Sequence, residues 1–303
     1  MNDSKTQEKP RNLPFFTRGG MTQLLSEVFS RYKKDFVEIL RKELGEQFAR
    51  AKPGFVELLR RELAGQFARE KAELTEMLRA EMQRVLEAQQ QAEFTEYRNV
   101  KYATQRLAVL DSAHFVLQHM IKVPSFIHPH GTLEHALSLA PKGGLALEFG
   151  VYSGSTLKII AQARNGSGVY GFDSFEGLPE EWRSGFPAGA FAVDQLPQVE
   201  GAELVVGWFD DTLPKFLQEH GGIIDFLHVD CDLYSSSKTV LDLAGPWLRP
   251  GSIVMFDEFF NYPGWQEHEH KAWNEYVQRT GVRFKYEAYT FNNEQVALRI
   301  LEI

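Results

Sequence analysis

Short apolar runs that alternate with helical stretches constrain the fold of this chain more than any other feature. The helical stretches lie near 155–164, 211–219, 236–248 and 267–279. The runs are continuously apolar, which is typical of parallel strands covered on both faces. The pattern predicts a doubly wound α/β sheet with right-handed crossovers. The five runs are residues 145–150, 168–174, 202–208, 224–230 and 252–258.

The last two apolar segments differ from the others. Residues 283–291 and 294–303 meet at Asn292-Asn293, a turn sequence that predicts an antiparallel hairpin. The expected sheet therefore has seven strands, most of them parallel. Residues 97–121 and 132–140 are expected to be helices that precede the sheet, with Thr132 as an N-cap.

The N-terminal third of the sequence contains an internal repeat that the rest of the chain lacks. The sequence of residues 35–52 is repeated in residues 54–71, where 12 of 18 aligned positions are identical. A more divergent third copy follows at residues 73–88. Each copy places apolar residues on one helical stripe. We expect residues 1–30 to be a flexible tail and residues 31–95 to be an amphipathic helical arm, broken or kinked at Pro53, that self-associates as a coiled coil. A membrane-surface helix is the alternative, which the nearly balanced charge of the arm disfavours. Residues 96–303 then form the second domain.

Charge and cysteine content exclude several functions. The net charge of −8 argues against nucleic acid as the partner, because phosphate binding needs clustered basic side chains. The single cysteine, Cys231, cannot form an internal disulfide, and the first residues lack the apolar region of a secretory signal. The expected location is the cytoplasm.

A glycine-containing turn follows the first strand. In the sequence EFGVYSGST, Gly150 and Gly154 lie between Glu148 and a helix that begins near Ser155-Thr156. A ligand of an open α/β sheet sits at the carboxyl ends of the strands. The spacing is not the G-x-G-x-x-G of dinucleotide sites, and an acidic residue suits a ligand with a cationic amine. The turn therefore favours S-adenosylmethionine over NAD, with an ordinary strand–turn–helix as the alternative.

Acidic residues follow three other strands. Asp173 ends the second strand, where a carboxylate can accept hydrogen bonds from ribose hydroxyls or cap the following segment. Asp230 and Asp232 end the fourth strand. Asp257 and Glu258 end the fifth. Neighbouring carboxylates repel unless a cation or a proton bridges them. Hard oxygen ligands select Mg²⁺, Ca²⁺ or Mn²⁺ over zinc. We expect Asp230, Asp257 and Glu258 to bind a metal, with a hydrogen-bonded network as the alternative, and Asp232 to act as a general base.

These motifs together resemble the macrocin O-methyltransferase family, which consists of class I, Rossmann-like, Mg²⁺-dependent sugar O-methyltransferases that use S-adenosylmethionine. The resemblance covers residues 97–303 and rests on EFGVYSGST, YGFDSFEGLP, GWFDDTLP, HVDCDLYSS and FDEF, in that order. It implies that Asp173 and Ser174 contact the ribose and that residues 207–211 lie on the adenine side. Where many members read GVWRGG, this chain reads GVYSGS, so the arginine is absent. The implied cofactor residues are Glu148, Gly150, Tyr152, Gly154, Ser155, Thr156, Asp173, Ser174, Trp208, Asp210 and Asp230.

The sequence therefore predicts an S-adenosylmethionine-dependent and metal-dependent enzyme that methylates a sugar hydroxyl in glycan or natural-product modification. A catechol- or phenol-directed methyltransferase shares the same metal chemistry and is an alternative. A non-catalytic scaffold that works through the helical arm is another. The expected partners are a small-molecule or glycan acceptor and a second copy of the chain bound through residues 31–90.

Overall fold

In a computed structural model of the protein, the structure describes residues 34–35 and 53–303. The predicted tail and most of the first copy of the repeat lie outside the described residues. The chain divides into two compact units, one ending at Gln91 and the other comprising Ala92–Ile303. The second and third copies of the repeat belong to one continuous helix, α1 (Pro53–Arg98), which begins at the proline. Proline suits the first turn of a helix, where its missing N–H has no partner to lose.

The second helix begins after a well-defined cap. In α2 (Val100–His119) the Asn99 side chain accepts a hydrogen bond from the Tyr102 amide at 3.3 Å. This satisfies one of the four free N–H groups of a helix start. None of the described helices combines the length and apolar character needed to span a membrane.

A single eight-stranded sheet organises residues 125–302. Its order is β1-β7-β8-β6-β5-β2-β3-β4, and the pairs β6–β8 and β7–β8 are antiparallel while the others are parallel. The strands are β1 (Ser125–Phe126), β2 (Leu145–Phe149), β3 (Val169–Asp173), β4 (Glu203–Val206), β5 (Ile224–Val229), β6 (Ile253–Phe256), β7 (Arg283–Thr290) and β8 (Val296–Glu302). The helices that connect them are α3 (Pro129–Leu139), α4 (Ser155–Ala163), α5 (Phe209–His220), α6 (Tyr234–Ala244) and α7 (Glu269–Thr280).

The five apolar runs form the five parallel strands on one side of the sheet, in the order β6-β5-β2-β3-β4. Every residue of β5 and of β6 is buried. One apolar layer packs on each face of the sheet; Phe149 and Phe256 belong to one layer, and Phe226 and Met255 to the other. The α/β fold, the five parallel strands and the terminal hairpin are therefore confirmed. The carboxyl ends of β2, β3, β5 and β6 lie side by side, which places the predicted site residues at one edge.

Two expectations differ from the structure. The sheet has eight strands rather than seven, because the two-residue strand β1 pairs with β7 and forms one edge of the sheet. Thr132 is not an N-cap, because α3 begins three residues earlier at Pro129. Thr132 is instead buried, and its hydroxyl lies 2.6 Å from the Thr290 hydroxyl. This bond connects α3 to the end of β7.

Candidate active site

A cavity of about 810 Å³ opens at the carboxyl ends of the parallel strands. Open α/β sheets bind their ligands at this edge. Of the residues predicted to form the site, those in the cavity lining are Gly150, Tyr152, Ser155, Thr156, Asp173, Ser174, Trp208, Asp210, Asp230, Asp232, Asp257 and Glu258. The structure thus brings together residues that are more than 100 positions apart in the sequence.

The turn after β2 is fixed by the neighbouring strand. One oxygen of the Asp173 carboxylate accepts hydrogen bonds from the amides of Val151 and Tyr152, at 2.8 and 2.9 Å. Its other oxygen accepts from the Phe175 amide at 2.7 Å. The predicted ribose ligand therefore holds the backbone of two loops, and its carboxylate keeps lone-pair capacity toward the cavity.

Glycine at position 150 lets two strand ends meet. Its φ is +93°, and a Cβ atom there would lie 1.6 Å from the Asp230 carbonyl oxygen. No side chain fits in that space. Gly154 also has a positive φ and precedes α4, but it packs against Val199 and Pro197 and does not line the cavity.

Glu148 lies beneath the cavity and not in its lining. It is fully buried and its Oε1 is 2.9 Å from Nδ1 of His228, the residue opposite it in the β2–β5 register. The imidazole Nε2 lies 3.7 Å from a carboxylate oxygen of Asp257. Burial lowers the pKa of His228, but contact with Asp257 and Glu148 outweighs burial and raises this pKa well above its usual value. The raised pKa favours the protonated imidazole, and in that form His228 would balance part of the acidic charge under the cavity.

Three carboxylates converge at the ends of β5 and β6. Asp230, Asp257 and Glu258 each place one oxygen within 4.8 Å of the others. Burial raises the pKa of Asp230 and of Glu258 well above the usual range. Burial also tends to raise the pKa of Asp257. The contacts of Asp257 with His228 and Gln295 outweigh burial, so the pKa of this carboxyl is lowered. Glu258 Oε2 is buried without a hydrogen-bond partner among the described residues.

Asp232 stands beside this cluster in a strained backbone conformation. Its φ is +63° and only 8% of its surface is exposed. Burial raises the pKa of Asp232 to about 7, against the opposing effect of the Arg183 guanidinium. Non-glycine residues with positive φ are uncommon and are found at functional sites. Asp232 thus lines the cavity next to the acidic cluster but is not one of its three converging carboxylates.

Arg183 and Glu294 complete the cavity wall, and the sequence patterns did not single them out. Both line the cavity, and the guanidinium lies 3.3 Å from the Glu294 carboxylate. Arg183 also stacks 3.7 Å over the Trp182 ring and 4.8 Å over the Tyr262 ring. Such stacked guanidinium groups are attracted by the ring quadrupoles. Neither residue belongs to a periodic element or a recognised motif, so no sequence signal marks them.

Comparison with known proteins fits this geometry. Residues 147–259 match a family model described as a methyltransferase domain. This part of the chain is a methyltransferase domain. The match begins in β2 and ends just after the acidic pair that follows β6, so the methyltransferase domain includes the turn after β2, the three carboxylates of the acidic cluster and Asp232.

Individual relatives of the methyltransferase domain act on natural products. The chain is 30% identical over 142 residues to the 8-demethyl-8-(2,3-dimethoxy-alpha-L-rhamnosyl)-tetracenomycin-C 4'-O-methyltransferase of Streptomyces olivaceus, a match that covers 38% of this chain. The chain spans about half of that relative, 53% of its length. The resemblance to sugar O-methyltransferases that the motifs predicted agrees with this match.

Solved structures that resemble this chain include two methyltransferases. Calicheamicin methyltransferase CalS11 is 24% identical, with a TM-score of 0.44, over 57% of this chain and 80% of the other. The O-methyltransferase NovP is 20% identical, with a TM-score of 0.42, over 57% and 79% of the two chains.

Proposed function

We propose that the protein is an S-adenosylmethionine-dependent, divalent-metal-dependent O-methyltransferase that acts on a sugar hydroxyl in glycan or natural-product modification. The observation that carries the proposal is the convergence of Asp230, Asp257 and Glu258 on the same cavity as the glycine-containing turn. An alcohol needs help to lose its proton, and a cluster of hard oxygen ligands beside a cofactor site is suited to provide it.

The acidic cluster fits a hard divalent cation. Three carboxylate oxygens within 4.8 Å of one another can reach one ion, since Mg²⁺ and Mn²⁺ accept several oxygen ligands. The partnerless buried oxygen of Glu258 is a further sign of a missing positive partner. Asp230, Asp257 and Glu258 would hold the ion. Gln295 donates to Asp257 Oδ2 at 3.0 Å and so orients that ligand.

The turn after β2 fits a nucleoside. The two backbone amides held by Asp173 fix Val151 and Tyr152 at the cavity edge, and the Tyr152 ring is half exposed there. Trp208 also lines the cavity and is partly exposed. An adenosine group would find polar backbone at one end and an aromatic surface at the other.

The residues of the chain have separate tasks in the proposed reaction. When bound, S-adenosylmethionine supplies an electrophilic methyl group, and a divalent cation lowers the pKa of the acceptor hydroxyl. Asp232 accepts the proton of that hydroxyl as a general base. Arg183 also lines the cavity, and its charge opposes the rise in the pKa of Asp232 and so favours the charged carboxylate. The loop residues Phe186 and Phe191 stack at 5.4 Å in the cavity wall and restrict the entry of water.

A sugar acceptor is supported by the tetracenomycin relative, which is named as a 4'-O-methyltransferase for a rhamnosyl compound. The aromatic wall formed by Trp182, Phe186 and Phe191 offers flat apolar surfaces, which suit the C–H face of a sugar ring. A catechol would also stack there, so the experiment must separate these acceptors.

The proposal is tested in two steps. Calorimetric titration of the full chain with S-adenosylmethionine should detect binding; a chain that binds none is a scaffold and not this enzyme. Methyl transfer to a panel of rhamnosides and catechols is then measured with Mg²⁺ and with EDTA. We expect transfer to a sugar hydroxyl that EDTA and Asp257→Ala both abolish. Asp242→Ala removes an exposed carboxylate on α6 and is the matched control. Full transfer by Asp257→Ala, or transfer to catechols alone, would contradict the proposal.

We also propose that the arm, residues 31–95, associates with itself. Helix α1 exposes Leu58, Met77 and Val85. An amphipathic helix that stands alone gains little from its apolar stripe, so it is stabilised by packing against another helix. Met77→Glu combined with Val85→Glu should lower the mass of the assembly in light scattering, whereas an unchanged mass would exclude this role.

A further inference from the structure

Helix α2 carries an exposed apolar stripe with the spacing of a coiled coil. The stripe consists of Val100, Ala103, Leu107, Leu110, His114, Leu117 and, just after the helix, Ile121. The intervals alternate between three and four residues, which is the a and d pattern of a heptad repeat. All seven residues are exposed, and its five large apolar members are between 58% and 74% exposed.

The stripe lies opposite the face that packs on the methyltransferase domain. Ala108 and Ser112 are buried, and Phe115 contacts the rings of Phe259 and Trp265. Successive residues of a helix are ~100° apart around its axis. Ala108, Ser112 and Phe115 therefore lie on the side of α2 opposite the a and d positions of the stripe. The domain therefore already covers one face of α2 and holds the helix folded, while the heptad face stays uncovered within the described residues.

We propose that this face is an interface with a second copy of the chain, in which two α2 helices pack in parallel about a two-fold axis. We define the seven residues above as the α2 seam. In a parallel pair, each a and d residue packs beside its own equivalent, and the g residue of one helix faces the e residue that lies five positions later on the other. Arg106 and Asp111 occupy those g and e positions and have opposite charges. The chain is thus complementary to itself in this orientation.

The size of the α2 seam is sufficient for a specific contact. The 22 residues from 100 to 121 extend over ~30 Å of helix. Two such helices bury roughly 1,000 Å² in total, which is near the lower limit for a specific interface. His114 occupies an a position, where a polar residue fixes the register and the number of chains. We therefore expect a dimer that forms at micromolar concentrations.

Disulfide trapping tests the interface directly, because Cys231 is the single cysteine and is buried. In the parallel pair, Leu110→Cys places two thiols beside each other across the two-fold axis. Val109→Cys, the neighbouring exposed residue outside the seam, is the matched control. Under mild oxidation we expect most of the Leu110→Cys chain to run as a dimer on a non-reducing gel and the Val109→Cys chain to run as a monomer. Equal cross-linking of the two variants would overturn the proposal, even if the arm holds the chains together.

Charge reversal provides an independent test in the Leu110→Cys background. Arg106→Asp should reduce the cross-linked fraction, and adding Asp111→Arg should restore it, since the two charges then pair again between copies. Failure of the double variant to recover would contradict the parallel pairing. In a chain that also carries Met77→Glu and Val85→Glu, so that the arm does not hold the copies together, Leu107→Glu should lower the mass measured by light scattering at micromolar concentration. An unchanged mass with a lowered melting temperature would mean that another segment of the same chain covers the face, and the proposal would be wrong.

Discussion

Asp225 provides a prediction that separates the stability of the methyltransferase domain from its chemistry. This carboxylate lies in β5, at the end of the sheet opposite the cavity, and is fully buried. It accepts a hydrogen bond from the Gly144 amide at 2.6 Å. It also pairs with Arg164 at 3.4 Å and with Arg249 at 2.5 Å. Arg164 is itself buried, with 4% of its side chain exposed.

The expected loss of folding stability in Asp225→Ala follows from the burial of both Asp225 and Arg164. Asp225→Ala removes the charge that compensates the Arg164 guanidinium, and breaking one side of a buried pair costs about 3–5 kcal/mol. For a unit of about 200 residues, this lowers the melting temperature by roughly 10 °C. Asp242→Ala is the matched control, because Asp242 pairs with Lys238 and Arg279 but is 38% exposed. An exposed pair contributes about 0–1 kcal/mol.

The assay is urea unfolding followed by circular dichroism, combined with a calorimetric melting curve. Asp225→Asn should fall between the wild type and Asp225→Ala, because the amide keeps one acceptor for Gly144 but has no charge. Binding of S-adenosylmethionine at low temperature should be retained by all three variants, since the cavity lies at the other strand ends. If Asp225→Ala loses no more stability than Asp242→Ala, the argument from buried charge is refuted.

Three further predictions concern the cavity and its surroundings. Gly150→Ala should destabilise the protein by more than ~2 kcal/mol in urea unfolding, because the added Cβ would overlap the Asp230 carbonyl oxygen. In the control Gly185→Ala the added Cβ has no atom within 4 Å, so the protein should lose only the stability that an alanine with positive φ costs. Adding Mg²⁺ at about 100 times its dissociation constant should stabilise the wild type by ~2.7 kcal/mol in a melting assay and leave Asp257→Ala unchanged; equal shifts would exclude the metal site. Burial lowers the pKa of His270 to about 4, so the stability it contributes is complete above its ordinary value of 6.5 and is lost as the pH falls toward 4. His270→Gln should therefore flatten the decline in unfolding free energy over that interval, and an unchanged slope would contradict this assignment.

The sequence predicted the centre of the fold because local patterns determine it. The five apolar runs correspond to β2 through β6. Strands buried on both faces need nearly uninterrupted apolar residues, as β5 and β6 show, whereas the edge strand β4 is less buried. The strand β1 could not be predicted, because two residues have no periodicity and Ser125–Phe126 is a strand only through its pairing with β7. The start of α3 was misplaced because Thr132 has the chemistry of a cap but is used in a tertiary hydrogen bond.

The candidate site was predictable where it follows strand ends. Asp230, Asp257 and Glu258 lie directly after apolar runs, and parallel strands bring such positions to one edge. The pairing of Glu148 with His228 depends on the register between β2 and β5, which no local pattern encodes. Arg183 comes from a loop without periodicity, so its position over Trp182 depends on packing that only the folded chain defines.

The hydrogen bonds of Asp173 have a consequence for how tightly a small molecule can be held. Fixing the backbone of a residue costs about 1–2 kcal/mol of conformational entropy at room temperature. Because Asp173 already anchors Val151 and Tyr152, that ordering is completed during folding. An arriving nucleoside meets a rigid rim, so more of its contact energy remains as affinity.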